Sequence, residues 1–161
     1  MKGLSKLGNA GLEYAVELGW AVFPLRPRGK DPASNAGEIS GCRGGFYRAS
    51  SHPEQIDAWW TEIPDANIGL WPGPSGLLVV DVDGPNAERE AEQLKLPEAA
   101  LMICASGRAD GGRHFYFRRP PHEVRNKNLV GSYLTLRCDN GYVVLPPSIH
   151  PATGREYRWV R

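Results

Sequence analysis

The apolar positions of the first twenty residues fall at helical spacing. Leu4, Leu7, Gly11, Ala15 and Leu18 recur every three or four residues, which lines one face of a helix and predicts one over residues 4–18. Gly19 fits its stop. Trp20-Ala21-Val22-Phe23-Pro24-Leu25 has no helical period and reads as a short buried strand. Arg26–Arg48 is polar and rich in glycine and proline. It predicts a long loop, a kind of segment that is usually functional or mobile in a compact domain. Helical spacing returns at Ile56, Trp59, Trp60 and Ile63. Pro53 suits the start of that helix, where its missing N–H costs nothing. Leu77–Val82 is apolar and β-branched, the pattern of a central strand. Ala87–Lys95 reads as a polar helix. Leu101–Ala105, His114–Arg118, Tyr133–Arg137 and Tyr142–Leu145 read as strands, and Glu156–Val160 as the last. Helices mixed with short strands predict an α+β domain around one sheet.

Composition narrows this little but excludes much. The chain has 161 residues, 41% hydrophobic and 23% charged, which suits one compact domain with a true core. No apolar run approaches the ~20 residues of a membrane span. The first residues lack the apolar stretch of a signal peptide, so a cytosolic protein is expected. Three cysteines, Cys42, Cys104 and Cys138, are too few and too widely spaced for a disulfide framework or a CxxC knuckle. They are expected as free thiols, with Cys104 in a core strand. The net charge is only +1, but it is unevenly spread. Glu54 to Glu98 holds ten acids against two bases, and Arg108 to Arg137 seven bases against two acids. One stretch can hold cations and the other attract phosphates, or both are ordinary solvated faces.

The densest chemistry is in Leu77–Gly84, LLVVDVDG. Strand side chains alternate, so Asp81 and Asp83 share a face about 6.5–7 Å apart, with Val80 and Val82 turned into a core. Two carboxylates at that distance can converge on Mg²⁺ or Mn²⁺ together with phosphate oxygens. Alternatively they only solvate a strand end, or belong to the metal–nucleotide-sugar DxD of a glycosyltransferase. A second segment, Ser106-Gly107-Arg108-Ala109-Asp110-Gly111-Gly112-Arg113-His114, leads into HFYFR. Its glycines let backbone amides approach an anion. Arg113 and His114 would stand beside that pocket, with His114 and Tyr116 on one strand face and Phe115 and Phe117 on the other. The alternative is a hairpin turn with a surface histidine. A third segment, Leu134 to Leu145, reads as a β-hairpin turning at Asp139-Asn140-Gly141. Its Arg137 is either a phosphate ligand or a salt-bridge partner.

In this order, these segments resemble the bifunctional primase–polymerase (Prim-Pol) branch of the archaeo-eukaryotic primase superfamily. The resemblance rests on AVELGWAVFPL (Ala15–Leu25), Lys30-Asp31-Pro32, QIDAWW (Gln55–Trp60), Asn67-Ile68-Gly69, SGLLVVDVDG (Ser75–Gly84), GGRHFYF (Gly111–Phe117), Arg137 with GYVVLPPS (Gly141–Ser148), and Tyr157-Arg158-Trp159. It implies an RNA-recognition-like sheet with a smaller α/β unit packed against it, forming a catalytic cleft. It also implies transfer of nucleotides from dNTP or NTP to a 3′-hydroxyl on a DNA template, with Mg²⁺ or Mn²⁺. By resemblance, Asp81, Asp83 and His114 would be catalytic, with Asp81 and Asp83 holding the metal. Lys30, Ser106, Arg113, His114 and Arg137 would contact the nucleotide. Template DNA is expected on the basic stretch at Arg118, Arg119, Arg125 and Lys127. Residues 1–161 are expected to form one catalytic domain, the N-terminal part of a larger replication protein with a helicase or helical domain downstream. A cytoplasmic protein of a bacterial, plasmid- or phage-encoded replication apparatus is expected.

One position departs from the family pattern. An aspartate is expected two residues before Arg137, and Thr135 stands there. Asp139 shares its strand parity but lies about 13 Å along a straight strand. One metal site is then weak, or Asp110 fills it, or the domain has lost activity and serves as a single-stranded DNA-binding module.

Overall fold

The computed structural model describes residues 3–33, 44–129 and 132–161. Helix α1 spans Lys6–Leu18, with Ser5 capping its start by accepting from the Gly8 amide. Helix α2 spans Pro53–Glu62, with proline in its first turn as predicted. The two cross closely because α1 presents glycine to Trp60. A Cβ on Gly8 would lie 2.8 Å from the Cβ of Trp60. The Trp60 indole donates to the Ala66 carbonyl, so the ring is fixed at the crossing.

Two antiparallel sheets form, not one. The smaller joins β1 (Val22–Leu25), β2 (Asn67–Leu70) and β8 (Val143–Leu145) in the order β1-β2-β8. The larger runs β6-β7-β3-β5-β4-β9, with β3 Leu77–Val82, β4 Met102–Ala105, β5 Arg113–Arg118, β6 Lys127–Asn128, β7 Leu134–Arg137 and β9 Arg158–Trp159. The mixed α/β composition stands, but the single sheet is corrected. So is the hairpin. The turn at Asp139-Asn140 is present, yet β7 pairs with β3 while β8 pairs with β2. The chain is carried between sheets by anchors at its corner: Cys138 donates to the Asn126 side chain, Asp139 to the Val124 carbonyl, and the Trp71 indole to the Asp139 carbonyl. A pattern of alternating residues shows that two strands exist, not that they pair.

Strand alternation divides the larger sheet between two cores. Val80, Val82, Ile103, Phe115 and Leu134 meet Ala87 and Ala91 of helix α3 (Pro85–Gln93), close to the one-turn α4 (Leu96–Ala99). On the other face, Leu77, Val79, Cys104 and Tyr116 pack with α1, α2 and the smaller sheet. Further along that second face, Asp81 and His114 line a cavity with residues of β8. Cys104 and Cys138 are free thiols, as expected, and burial pushes the Cys104 thiol up to about 12. Cys42 lies outside the described residues.

Candidate active site

β3 and β5 are paired so that Asp81 stands directly across from His114. Opposite residues of an antiparallel pair point to the same side, which turns both side chains into one cavity of about 390 Å³. Asp83, just past the end of β3, lines it too, as do Lys30, Ser106 and Arg137. Six of the seven residues expected to build a site therefore converge from separate elements.

The seventh does not. Arg113 is one residue from His114 on β5, so alternation sends it to the opposite face with Phe115. There its guanidinium pairs with Glu88 and Glu92 of α3 and lies 4.8 Å from the Phe115 ring centre. The expectation that Arg113 borders the pocket is corrected. Asp110 is engaged as well. Arg108 bonds both its oxygens at 2.9 Å, and Asp110 is not among the cavity's lining residues. Asp139 is held by Arg119 and the Val124 amide, away from the cavity.

The Asp81 carboxylate is 15% exposed and accepts from Arg137 at 3.4 Å. Its other oxygen is 3.6 Å from His114 Nε2, too long for a hydrogen bond. Asp83 is half exposed, 3.4 Å from Arg108 Nε. Burial holds the His114 pKa below its ordinary value, with Lys30 and Arg137 adding to the fall and the two aspartates opposing it. Among the described residues its Nδ1 is buried without a partner, and so is the Ser106 hydroxyl. Gly112 permits that hydroxyl: its φ is +141°, and a Cβ there would come 2.5 Å from Ser106 Oγ. Two unpartnered polar groups at a cavity wall are desolvated in the free protein and available to a polar ligand.

The opposite character lies in the same cavity. Phe46, Tyr142, Val143, Val144 and Tyr157 also line it, and none was expected as a site residue. Phe46 sits in the predicted long loop, in a short 3₁₀ turn over Gly45–Arg48. Lys30 reaches the cavity from the same loop, and the Tyr142 hydroxyl donates to its carbonyl. Tyr157 stands between two imidazoles, 6.0 Å from His114 and 5.9 Å from His150, ring centre to ring centre.

A family model described as "Bifunctional DNA primase/polymerase, N-terminal" matches residues 11–161. The chain belongs to this family. No curated protein matches it. Membership implies primase or polymerase chemistry in general, with DNA and nucleotide substrates and divalent metals. In this Prim-Pol domain the donors fit such a cation. Asp81 and Asp83 offer hard oxygen donors at a strand end, and Mg²⁺ commonly takes one or two carboxylates and completes its shell with water and substrate phosphate. Among the described residues no group of three histidines, cysteines or carboxylates could hold a metal by itself. Thr135 lies directly across β3–β7 from Asp81 and donates to Asn128 at 2.9 Å, so a neutral hydroxyl occupies the place beside the carboxylate. Also among the described residues, no helix is long and apolar enough to cross a membrane.

Proposed function

We propose that this domain transfers a nucleotide from a dNTP or NTP to the 3′-hydroxyl of a strand paired to a DNA template, as part of DNA replication. One observation carries the reading: two carboxylates, a buried imidazole and two cations meet in a cavity that is also lined by aromatic rings, valines and the polar side chains of Ser106, Asn126 and Asn140. Lys30 and Arg137 attract the triphosphate, and the guanidinium of Arg137 offers a fork that fits its oxygens. Ser106 Oγ and His114 supply unpartnered groups for the remaining oxygens. Phe46 and Tyr142 offer faces for the base. Asp81 and Asp83 would hold the divalent cation. Such a cation, when bound, favours the deprotonated 3′-oxygen and neutralises charge on the triphosphate. The 3′-oxygen bonds to the α-phosphorus as the bond to the bridging oxygen breaks. Pyrophosphate leaves and the hydroxyl proton passes to water. Lys30, His114 and Arg137 stabilise the charge that develops on the phosphates.

Template-dependent incorporation by Asp81→Ala, Asp83→Ala and His114→Ala tests this. Each is expected to lose at least about a hundredfold, the scale of one preorganised electrostatic group. Wild-type rates in a folded double-aspartate variant would end the scheme. Thr135 favours a second reading, a Prim-Pol-like single-stranded DNA-binding module with little turnover. That reading predicts DNA binding with no metal-dependent incorporation by the unaltered chain.

A further inference from the structure

A second cavity, about 620 Å³, lies across the glycine-rich turn from the carboxylates. Ser106 lines the first cavity, while its neighbours Ala105 and Gly107 line the second. The charged lining of the second is Arg108, Arg155, Glu156 and Arg158. Lys6 neutralises Glu156, and Arg108 is engaged with Asp110 and Asp83. Arg155 and Arg158 are exposed, and neither has a carboxylate within ion-pair distance among the described residues. Their positions are fixed by the fold. Thr153 donates to the Gly107 carbonyl at 2.7 Å, and a Cβ on Gly107 would lie 3.2 Å from the Cβ of Arg155, so that turn sits flat on the glycine. Arg158 is held in β9, opposite Ala105.

The basic stretch expected to bind template is less available. Arg119 is bound to Asp139 and Arg125 to Glu123. Arg118 and Lys127 remain there.

We propose that the Arg155–Arg158 groove binds the backbone phosphates of a nucleic-acid strand that enters the catalytic cavity. This rests on the nucleotidyl-transfer reading. Arg108 lines the groove and stands 3.4 Å from Asp83, so the groove begins where a strand end must lie. A free nucleotide already has Lys30 and Arg137 in the first cavity. A polymer also needs cations along its path out of the site, and guanidinium forks suit successive phosphates. Among the described residues no aromatic side chain lines the groove, so it grips backbone and does not stack bases, and its binding is sequence-tolerant.

Fluorescence anisotropy of a labelled single-stranded oligonucleotide, run across salt concentrations on the full chain, tests this. The double variant Arg155→Ala/Arg158→Ala is expected to bind about tenfold more weakly at moderate salt, with a salt slope shallower by about 1.4, at ~0.7 per phosphate lost. Arg155→Lys/Arg158→Lys keeps most of that slope. Calorimetric affinity for tripolyphosphate is unchanged in the Arg155→Ala/Arg158→Ala variant. Wild-type strand affinity in that variant overturns the proposal. So does a tripolyphosphate affinity that falls as far as the strand affinity, which would make the groove a site for free polyphosphate. Failure of incorporation with strand binding intact and lost in the arginine variant counts against the catalytic reading alone.

Discussion

Phe46 stands in the wall of the cavity that holds Asp81 and His114, and its ring is braced by Trp71 at 5.4 Å and Tyr142 at 5.8 Å between centres. A fixed aromatic face costs a base little entropy to meet, and such stacking is worth ~1–3 kcal/mol per base. Phe46→Ala is therefore expected to weaken dNTP binding about tenfold while leaving tripolyphosphate affinity unchanged. Equal losses for both ligands in calorimetry would place the base elsewhere. Thr135 invites the opposite experiment. Because it faces the same side as Asp81, Thr135→Asp adds a carboxylate beside the first. The variant is expected to melt lower in chelator, through like-charge repulsion, and to gain more in melting temperature from Mn²⁺ than wild type does. An unchanged Mn²⁺ response would separate this position from the cation. The residues legible in the sequence were those that alternation could place: Asp81 with Asp83, and His114 with Tyr116. The same rule groups Arg113 with Phe115, and its positive charge beside a glycine turn was a false lead. Phe46 belongs to no motif, and Tyr142 and Tyr157 lie in segments the resemblance rests on without a site role; only tertiary packing shows that all three reach the cavity.

Strand β2 shows what an element can hide. Asn67-Ile68-Gly69-Leu70 has neither clean alternation nor β-branched enrichment, and no strand was read there. It forms because β1 and β8 take it from either side, with Phe23 packed over Gly69, where a Cβ would lie 2.5 Å from the ring. Asn67 is wholly buried. Its amide donates to the carbonyls of Gly29 and Ile149 at 2.9 and 2.8 Å and accepts from the Ile149 amide at 2.9 Å. One side chain thus ties the loop carrying Lys30 to the turn after β8. Asn67→Ala leaves three part-buried backbone groups without their side-chain partner and is expected to cost ~1–3 kcal/mol, read from the urea midpoint. It should also weaken nucleotide binding by the folded variant, since Lys30 loses its anchor. Stability loss with full nucleotide affinity would show that Lys30 does not depend on this tie. The longer elements were legible because a helix face or a β-branched run repeats. The two-residue strand β6 is too short to repeat at all, whereas β9 falls inside the stretch read as the last strand; the second sheet was missed because pairing between distant segments leaves no local trace.

Across the whole molecule, the two buried histidines flank one tyrosine and titrate in the same direction. Burial lowers the pKa of His150, helped by Lys30 and Arg108 and opposed by Asp83 and Asp110. Burial lowers that of His114 too, against the pull of Asp81 and Asp83. The unfolded chain takes up these protons near pH 6.5, whereas the folded chain resists them. Between the folded values and ~6.5 the unfolded state binds more protons, so stability rises with pH, by at most about 1.4 kcal/mol per pH unit for each histidine. Their contribution is complete above ~6.5 and is lost as pH falls through the folded values. Carboxylates act in a lower window. Although burial opposes it, Arg119 and the Val124 amide hold the Asp139 carboxyl below the usual range, and its contribution is lost only below about pH 4. Urea unfolding between pH 7.5 and 5, in chelator and without nucleotide, is thus expected to show falling stability well before the carboxylates protonate. His150→Gln should flatten part of that fall. A His150→Gln profile parallel to wild type would mean that the imidazole is protonated as readily in the fold as outside it, and that the enclosure around Tyr157 is wetter than its burial implies.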